Sequence, residues 1–391
     1  SIGLSGIISE MVKLPEFISY LKLRTSYTEV GSPITQTGIT PGTVTDPMSG
    51  GVINPISTYP YPDFKPERTK SYEVGINARF LNGRISFDGT FYQSNTYNQT
   101  FLSVMSPATG YSGFYVQAGN VRNRGVEMTL GYNDTFGKVN YSTHLTYTAN
   151  QNKIVEMVHD YRNPIDNSLV NITELTLKEA GDVYLREGYS MSDVFTTGIL
   201  QRGRDGKLVE EGNGYQVDRS QRIRLGSADP DFTMGWRHDI NYKNISLGLM
   251  ITGRFGGIVT SQTQAFMDAF GVSKVSAEAR DNGGVMLDGH RYDAERYYNT
   301  VGGQGLMSYY TYDATNVRLQ ELSLTYSLPK KWLGDVFNNA TISFVGRNLF
   351  MFYRKAPFDP DMNGSTGTYN RSDFFMAPSL RNLGFSIKFS L

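Results

Sequence analysis

The chain has 391 residues, no cysteine, and 37 lysines and arginines balanced by 37 aspartates and glutamates. The balanced charge excludes the basic surface that nucleic-acid binding requires, and the lack of cysteine excludes disulfide bonds and thiolate metal sites. The 41 glycines, 26 tyrosines and 22 phenylalanines favour turns and strands over helices. The longest clean apolar run, Leu247 to Ile251, is far shorter than the roughly 20 residues of a membrane-spanning helix. Any passage through a membrane would therefore use strands.

Apolar and polar residues alternate along the chain, which is typical of strands with one apolar face. Between Tyr72 and Ile76, for example, the apolar side chains alternate with Glu73 and Gly75. The phase of the alternation slips at 320–321, which predicts a β-bulge. In chain order the pattern predicts a partial strand at 2–9 and full strands at 17–30, 68–80, 83–95, 122–134, 137–150, 229–242, 244–257, 313–328, 339–353 and 378–391.

The connections between these strands alternate in length. Short turns such as 81–82 and 135–136 close one end, whereas segments 31–67, 151–228 and 258–312 form long loops at the other end. A soluble sandwich shares the alternation within strands but does not require this asymmetry. Short turns on one rim and long loops on the other are typical of an outer-membrane barrel, whose long loops lie outside the cell. The sequence therefore predicts an all-β, transmembrane antiparallel β-barrel.

Several short stretches stand out as motifs. They are Tyr20 to Tyr27, Lys65 to Gly75, Gly119 to Glu127, Ser227 to Phe232, Val317 to Leu322, Val345 to Phe350 and Phe358 to Asp361. Together they resemble the C-terminal barrel of SusC/RagA-family TonB-linked outer-membrane proteins, and the resemblance spans essentially the whole chain. It implies that residues 1–391 form the C-terminal half of a large, 22-stranded barrel. It also implies that the N-terminal plug, the other half of the barrel and the TonB box lie outside this chain.

The same resemblance implies a function in the bacterial outer membrane. We expect TonB-dependent import of an oligomeric nutrient, with TonB supplying energy, a SusD-like surface lipoprotein acting as a lid, and outer-membrane lipid and lipopolysaccharide around the barrel. A glycan is the favoured cargo because it is the commonest cargo of the family, and an oligopeptide, as in importers of the RagA type, is the alternative. A free-standing barrel with a hydrolase or adhesin role is a more remote alternative. We expect no enzymatic activity and no cofactor.

Aromatic residues are dense in the predicted long loops. Their rings combine apolar area with a polar tip, which suits sugar rings or the side chains of peptides. Packing of one loop on another is the alternative explanation for each of them. The candidate ligand-binding residues are Tyr59, Tyr61, Tyr111, Phe114, Tyr115, Tyr297, Tyr298, Tyr309 and Tyr310.

Polar residues on the other face of the predicted strands would line a hydrated lumen or bind the plug. This set comprises Glu73, Arg79, Asp88, Glu127, Arg237 and Arg254.

Other polar motifs predict no metal or catalytic site. The segment Phe358 to Asp361, with Asn363-Gly364, could offer oxygen ligands to Ca²⁺, but its proline and glycine also explain it as a turn. The acidic pairs Glu210-Glu211 and Asp229 with Asp231 are interpreted as solvated loop charges. The histidines, which show no zinc-ligand spacing, are His144, His159, His238 and His290.

Overall fold

The computed structural model describes residues 1–33, 43–45, 53–55, 58–59, 64–162, 168–177, 183–333, 337–361 and 372–390. Its main element is an antiparallel sheet of eleven strands, in which each strand pairs with its neighbours along the chain. The predicted strands are confirmed, with their ends shifted by a few residues. They are β1 Ile2–Ile7, β2 Ile18–Ser32, β3 Glu67–Phe80, β4 Ile85–Tyr97, β5 Asn120–Phe136, β6 Val139–Glu156, β7 Phe232–Tyr242, β8 Ile245–Phe255, β9 Asn316–Ser327, β10 Asn339–Arg354 and β11 Asn382–Ser390.

The strand register gathers apolar side chains on one face of the sheet. Phe91 on β4 lies opposite Val74 on β3 and Val126 on β5. Although they are large and apolar, Val74 is 59% exposed and Phe91 is 50% exposed. On the opposite face, Asp88 lies between Asn77 and Thr129. An exposed apolar face this extensive requires an apolar solvent, and the bilayer interior provides one.

The predicted β-bulge is confirmed in β9. Its register against β8 shifts between the pairs Ile251 with Leu319 and Met250 with Glu321, so Gln320 is left between them. The register against β10 shifts at the same place. The bulge keeps the apolar residues on both sides of it on one face, which explains the slip in the sequence pattern.

The two rims of the sheet differ as predicted. Short connections at 81–84, 137–138, 243–244 and 328–338, together with helix α1 (Ile8–Met11), form one rim. Leu81 and Asn82 adopt φ angles of 52° and 57°, which suits a tight hairpin turn. The opposite rim carries the long connections 33–66, 98–119, 157–231, 256–315 and 355–381.

The described parts of the long connections form helices and short strands, which the sequence pattern did not predict. They contain helices α2 (Gln262–Ala269), α3 (Lys274–Asp281) and α4 (Ala294–Val301). Each begins after a Ser or Asp whose side chain accepts a backbone N–H of the first turn. In the described part of the chain, no helix combines the length and the apolar character needed to cross a membrane. The short 3₁₀ helices are Pro107–Thr109, Met307–Tyr309 and Lys330–Trp332.

Short strands also pair within these connections. They are Thr43–Thr45 with Ile53–Pro55, Gly113–Ala118 with Thr58–Tyr59 and Gln99–Val104, Val158–Arg162 with Leu169–Ile172, Glu174–Thr176 with Tyr184–Arg186, Asp193–Leu200 with Val217–Ser227, Glu210–Glu211 with Gly214–Tyr215, Val285–Leu287 with His290–Tyr292, and Ile258–Ser261 with Thr311–Asp313 and Ser372–Asp373. One apolar core forms around Val116, Ile154 and Leu185, and another around Tyr298, Val301 and Leu306. We call the described residues of the connections 33–66, 98–119, 157–231, 256–315 and 355–381 the loop assembly.

Candidate functional site

A cavity of about 760 Å³ lies inside the loop assembly, where three of the long connections meet. The hairpin formed by Asp193–Leu200 and Val217–Ser227 supplies one wall. Phe266 of α2 and the glycine-rich segment 302–305 form a second wall. Ser372, from the connection before β11, also lines the cavity. The volume is within the range of small-ligand sites, which is roughly 300 to 1,000 Å³.

Two arginines of the hairpin line this cavity. The Arg219 guanidinium donates hydrogen bonds to the Thr197 carbonyl oxygen at 3.4 Å and to the Gln304 carbonyl oxygen at 3.3 Å. Arg222 donates to Thr176 Oγ1 at 3.2 Å, and its guanidinium carbon lies 4.1 Å from the centroid of the Tyr184 ring. Both guanidinium groups, which belong to exposed residues, are therefore held by neutral groups, and among the described residues neither forms an ion pair.

A β-bulge explains how residues three apart reach one cavity. Residues three apart in a regular strand point to opposite faces. Here the register shifts between Thr197, which pairs with Arg222, and Ile199, which pairs with Asp218, so the extra residues lie opposite Gly198. A Cβ atom on Gly198 would come within 2.8 Å of Leu306 Cδ2 and 3.2 Å of Arg219 Nη1. Glycine at this position, with φ 106°, thus leaves room for the Arg219 guanidinium.

Asp193 is the acidic residue on the cavity wall, and it is already paired. Its carboxylate lies 2.7 Å from the Arg224 guanidinium and also accepts the Ser190 N–H at 3.0 Å. The hydrogen bond with Asp193 raises the pKa of Arg224, so this pair is neutral as a whole. Burial, aided by a hydrogen bond to Glu174, raises the pKa of Tyr184 to about 12, so its ring stays uncharged beneath Arg222.

The predicted aromatic residues do not line this cavity. Tyr115, Tyr297, Tyr298 and Tyr310 are buried inside the loop assembly. Burial raises the pKa of Tyr297, which lies edge-on to Tyr298 and Tyr309. The half-buried ones are Tyr59, Tyr111, Phe114 and Tyr309, whereas Tyr61 lies outside the described residues.

Sequence reasoning did not single out Arg219 and Arg222. The available signal was three arginines within the stretch 219–224, which contains no acid. Their convergence depends on the bulge opposite Gly198, and the alternation pattern of the sequence does not reveal that bulge.

The predicted lumen residues lie on one face of the main sheet, opposite the exposed apolar face. Asp88 binds Arg24 through two hydrogen bonds, at 2.7 and 3.0 Å. Arg237 lies 2.8 Å from Asp239 and 3.8 Å from Glu321. Register also places the rest of the set on this face, namely Glu73, Arg79, Glu127 and Arg254.

The motif considered for Ca²⁺ binds an arginine. Arg318 of β9 is 5% exposed, and its guanidinium lies 2.9 Å from Asp359 and 2.5 Å from Asp361. It also donates to Asn348 Oδ1 at 3.2 Å. Among the described residues no group of three or more histidines and acids could hold a metal ion, and Asn363-Gly364 lie outside them. The motif therefore ties the last long connection to the main sheet.

Comparison with known proteins identifies relatives of the chain. The sequence model of the family described as TonB dependent receptor-like, beta-barrel matches residues 14–252. TonB-dependent receptor P3 of Formosa agariphila is 25% identical over 95% of this chain and 40% of its own length. TonB-dependent receptor P26 of the same organism is 25% identical over 92% of this chain and 38% of its own length.

Solved structures share the fold. The structure of the RagAB peptide transporter has a TM-score of 0.73 and 17% identity, covering 99% of this chain and 43% of that one. The RagAB peptide importer in its open-open state has a TM-score of 0.71 and 18% identity, covering 100% of this chain and 42% of that one. The chain thus spans about two fifths of the length of the relatives it matches.

Proposed function

Because the chain belongs to the TonB-dependent receptor β-barrel family, we propose that it forms part of an outer-membrane importer for an oligomeric nutrient. The family comprises receptors and transporters of the outer membrane of Gram-negative bacteria, and these are not enzymes. The observation that carries the proposal is the main sheet, which exposes an apolar face and presents a polar one behind it. Such a sheet, closed into a barrel, encloses a hydrated interior within the bilayer.

The rest of the barrel and the plug would come from outside residues 1–391. Among the described residues, β1 and β11 each have a paired strand on one side only. An open sheet edge cannot face lipid because its backbone groups would lack hydrogen-bond partners. Further strands, and a plug bound by the polar interior residues Glu73, Arg79, Asp88, Glu127, Arg237 and Arg254, would complete the importer and connect it to TonB.

We further propose that a SusD-like lipoprotein docks over the loop assembly. The folded loops rise on the rim that carries the long connections, which is the extracellular rim of outer-membrane barrels. A folded surface suits a lid better than disordered loops would, because it loses less conformational entropy on docking. The two RagAB structures with the same fold are those of a peptide transporter and importer.

The cargo is proposed to be a short oligomer, either a glycan or an oligopeptide. Glycan import follows from the family resemblance. An oligopeptide is the second candidate, because its C-terminal carboxylate could bind the two arginines that line the wall together with aromatic residues. Of the loop aromatics, the half-buried Tyr59, Phe114 and Tyr309 would contact cargo, whereas the buried Tyr115, Tyr297, Tyr298 and Tyr310 would hold the loops together.

Uptake by whole cells tests the proposal. A strain lacking the gene and its parent would be given fluorescent oligopeptides and fluorescent oligosaccharides in turn. We expect the parent alone to accumulate one class of cargo, and collapse of the inner-membrane proton gradient to stop it. Mass spectrometry with N-terminal sequencing of the native complex would identify a plug-bearing segment and a lipoprotein. Finding this chain alone, with equal uptake by both strains, would overturn the importer proposal.

A further inference from the structure

We infer that the cavity between Arg219 and Arg222 binds a carboxylate group of the imported oligomer, an inference that rests on the proposed function. A guanidinium group matches a carboxylate in both charge and planar geometry, and it can form two parallel hydrogen bonds with it. The inference assigns the cavity a specific chemical task, which is recognition of one charged end or side group of the cargo.

Some arginines of the loop assembly have acidic partners and others do not. Within the loop assembly, Arg202 pairs with Asp288, Arg224 with Asp193 and Arg296 with Glu210, whereas other described arginines, such as Arg186 and Arg280, have no acidic partner; unlike those, Arg219 and Arg222 line the cavity. Among the described residues, Arg219 and Arg222 form no ion pair.

The second observation concerns position. The neutral partners of Arg219 and Arg222 fix each side chain without cancelling its charge. A guanidinium has five N–H donors, so donors remain for a ligand after these contacts. Because the cations are already oriented, a carboxylate would bind with little further loss of side-chain entropy.

The third observation is a hydroxyl group without a partner. Ser372 lines the cavity, while its Oγ is buried beside it and, within the described part of the chain, forms no hydrogen bond. A buried polar atom of this kind normally has a partner. Ser372 thus offers an unused O–H donor beside the cavity, which would reach the same carboxylate after rotation of its side chain toward the cavity.

Size and charge together define the ligand group. The cavity of about 760 Å³ would hold a few residues of an oligomer, so the carboxylate would be a terminal or side group of a longer cargo. The paired Asp193 does not oppose an anion, because Arg224 neutralises it. The carboxylate could come from the C-terminus of a peptide or from a uronic acid in a glycan.

Binding measurements on the native complex, purified in detergent from outer membranes, test the inference. The probes are an oligopeptide with a free C-terminal carboxylate, the same peptide with an amidated terminus, an oligogalacturonate and a neutral oligosaccharide of equal length. Wild-type complex should bind the carboxylate form of one pair at least about tenfold more tightly, as expected for charge-assisted hydrogen bonds. The pair that shows this preference identifies the source of the carboxylate.

The double variant Arg219→Gln/Arg222→Gln should remove the preference. Unchanged hydrogen exchange of the hairpin 193–227 in this variant would show that the cavity is still folded. Arg204→Gln is the matched control, because Arg204 is an exposed arginine of the same connection outside the cavity wall, and it should retain the preference. Equal binding of charged and uncharged probes by wild type would overturn the inference and leave the importer standing. If no probe bound the native complex, both proposals would fail.

Discussion

The main sheet and the loop assembly place the same kinds of residue in opposite surroundings. Phe385 in β11 is 74% exposed, whereas Leu306 in the loop assembly is 0% exposed. The loop assembly hides apolar side chains from water, as soluble proteins do. The sheet presents them outward and keeps its charges, such as Asp88, on the other face. One chain thus contains two regions built for two different solvents.

The two regions meet at a cluster of charges around the buried Arg318. Arg318 belongs to β9, whereas Asp359 and Asp361 belong to the connection that follows β10. The ion pairs of Arg318 with Asp359 and Asp361 therefore connect the main sheet to the loop assembly, and we call this contact the Arg318 cluster.

The largest effect is expected for Arg318→Ala. This change leaves the carboxylate of Asp359, which is 12% exposed, without its cation. The free energy that holds the connection 355–361 on the sheet should fall by about 3 to 5 kcal/mol. Limited proteolysis of the connection around 355–361, measured in increasing urea, would detect the loss. Cleavage at the same urea concentration as in wild type would refute the conclusion that Arg318 holds this connection on the sheet.

Two variants control this experiment. Arg347→Ala breaks a pair with Glu321 in which the arginine side chain is 63% exposed, so it should cost less than about 1 kcal/mol. Arg318→Ala combined with Asp359→Asn removes the arginine and the less exposed of its two acidic partners, and should recover part of the loss.

Leu306→Ala should unfold the loop assembly before the sheet. Removing this buried side chain should cost about 2 to 5 kcal/mol, because it leaves a cavity in the core. Hydrogen exchange should rise in the loops, while the folded sheet keeps its compact mobility on gels. Leu380→Ala, at an exposed position in another long connection, is the matched control and should change neither. Simultaneous loss of loops and sheet would show that the two regions do not fold separately.

Leu249→Arg tests the lipid-facing surface. Leu249 lies opposite His238 and Leu322 on the apolar face of β8, and arginine there should cost about 2 to 4 kcal/mol near the membrane midplane. Ser246→Arg, on the opposite face of the same strand, should cost much less. The temperature at which the barrel loses its compact gel mobility would measure both. Equal shifts would contradict the assignment of the two faces.

The smallest effect is expected when the pH is lowered enough to protonate Asp359. Burial by itself raises the pKa of Asp359, but hydrogen bonds from Ser379 and the Asp361 amide, with the charge of Arg318, outweigh burial and lower it. A carboxyl with a lowered pKa stabilises the folded state fully above its unfolded value of about 3.9. That contribution is lost as the pH falls through the lowered pKa.

The contact between Asp359 and Arg318 should therefore contribute its full stability at neutral pH and lose it below about pH 4. Hydrogen exchange of the connection 355–361 as a function of pH would measure this change. Asp359→Asn should weaken the acid response, and an unchanged response would assign it to another group.

Most of the sheet could be predicted from the sequence because its residues repeat with a period of two. From Tyr72 to Ile76 the alternation already separated the apolar face from the polar one, and the slip at 320–321 located the bulge in β9. Such patterns depend only on which way neighbouring side chains point along a strand. The same periodicity located both rims, since it stops where strands end.

The loop assembly could not be predicted in this way, because its contacts join residues distant in sequence. Arg219 and Thr197 lie on one hairpin, yet Gln304 and Ser372 come from two other connections. No local pattern distinguishes a tyrosine buried in a loop core, such as Tyr298, from one that faces a ligand. The sequence by itself therefore determined the barrel sheet and its two rims. Tertiary structure alone decided which loop side chains were buried and which two arginines line one cavity, because burial depends on packing between segments rather than on local order.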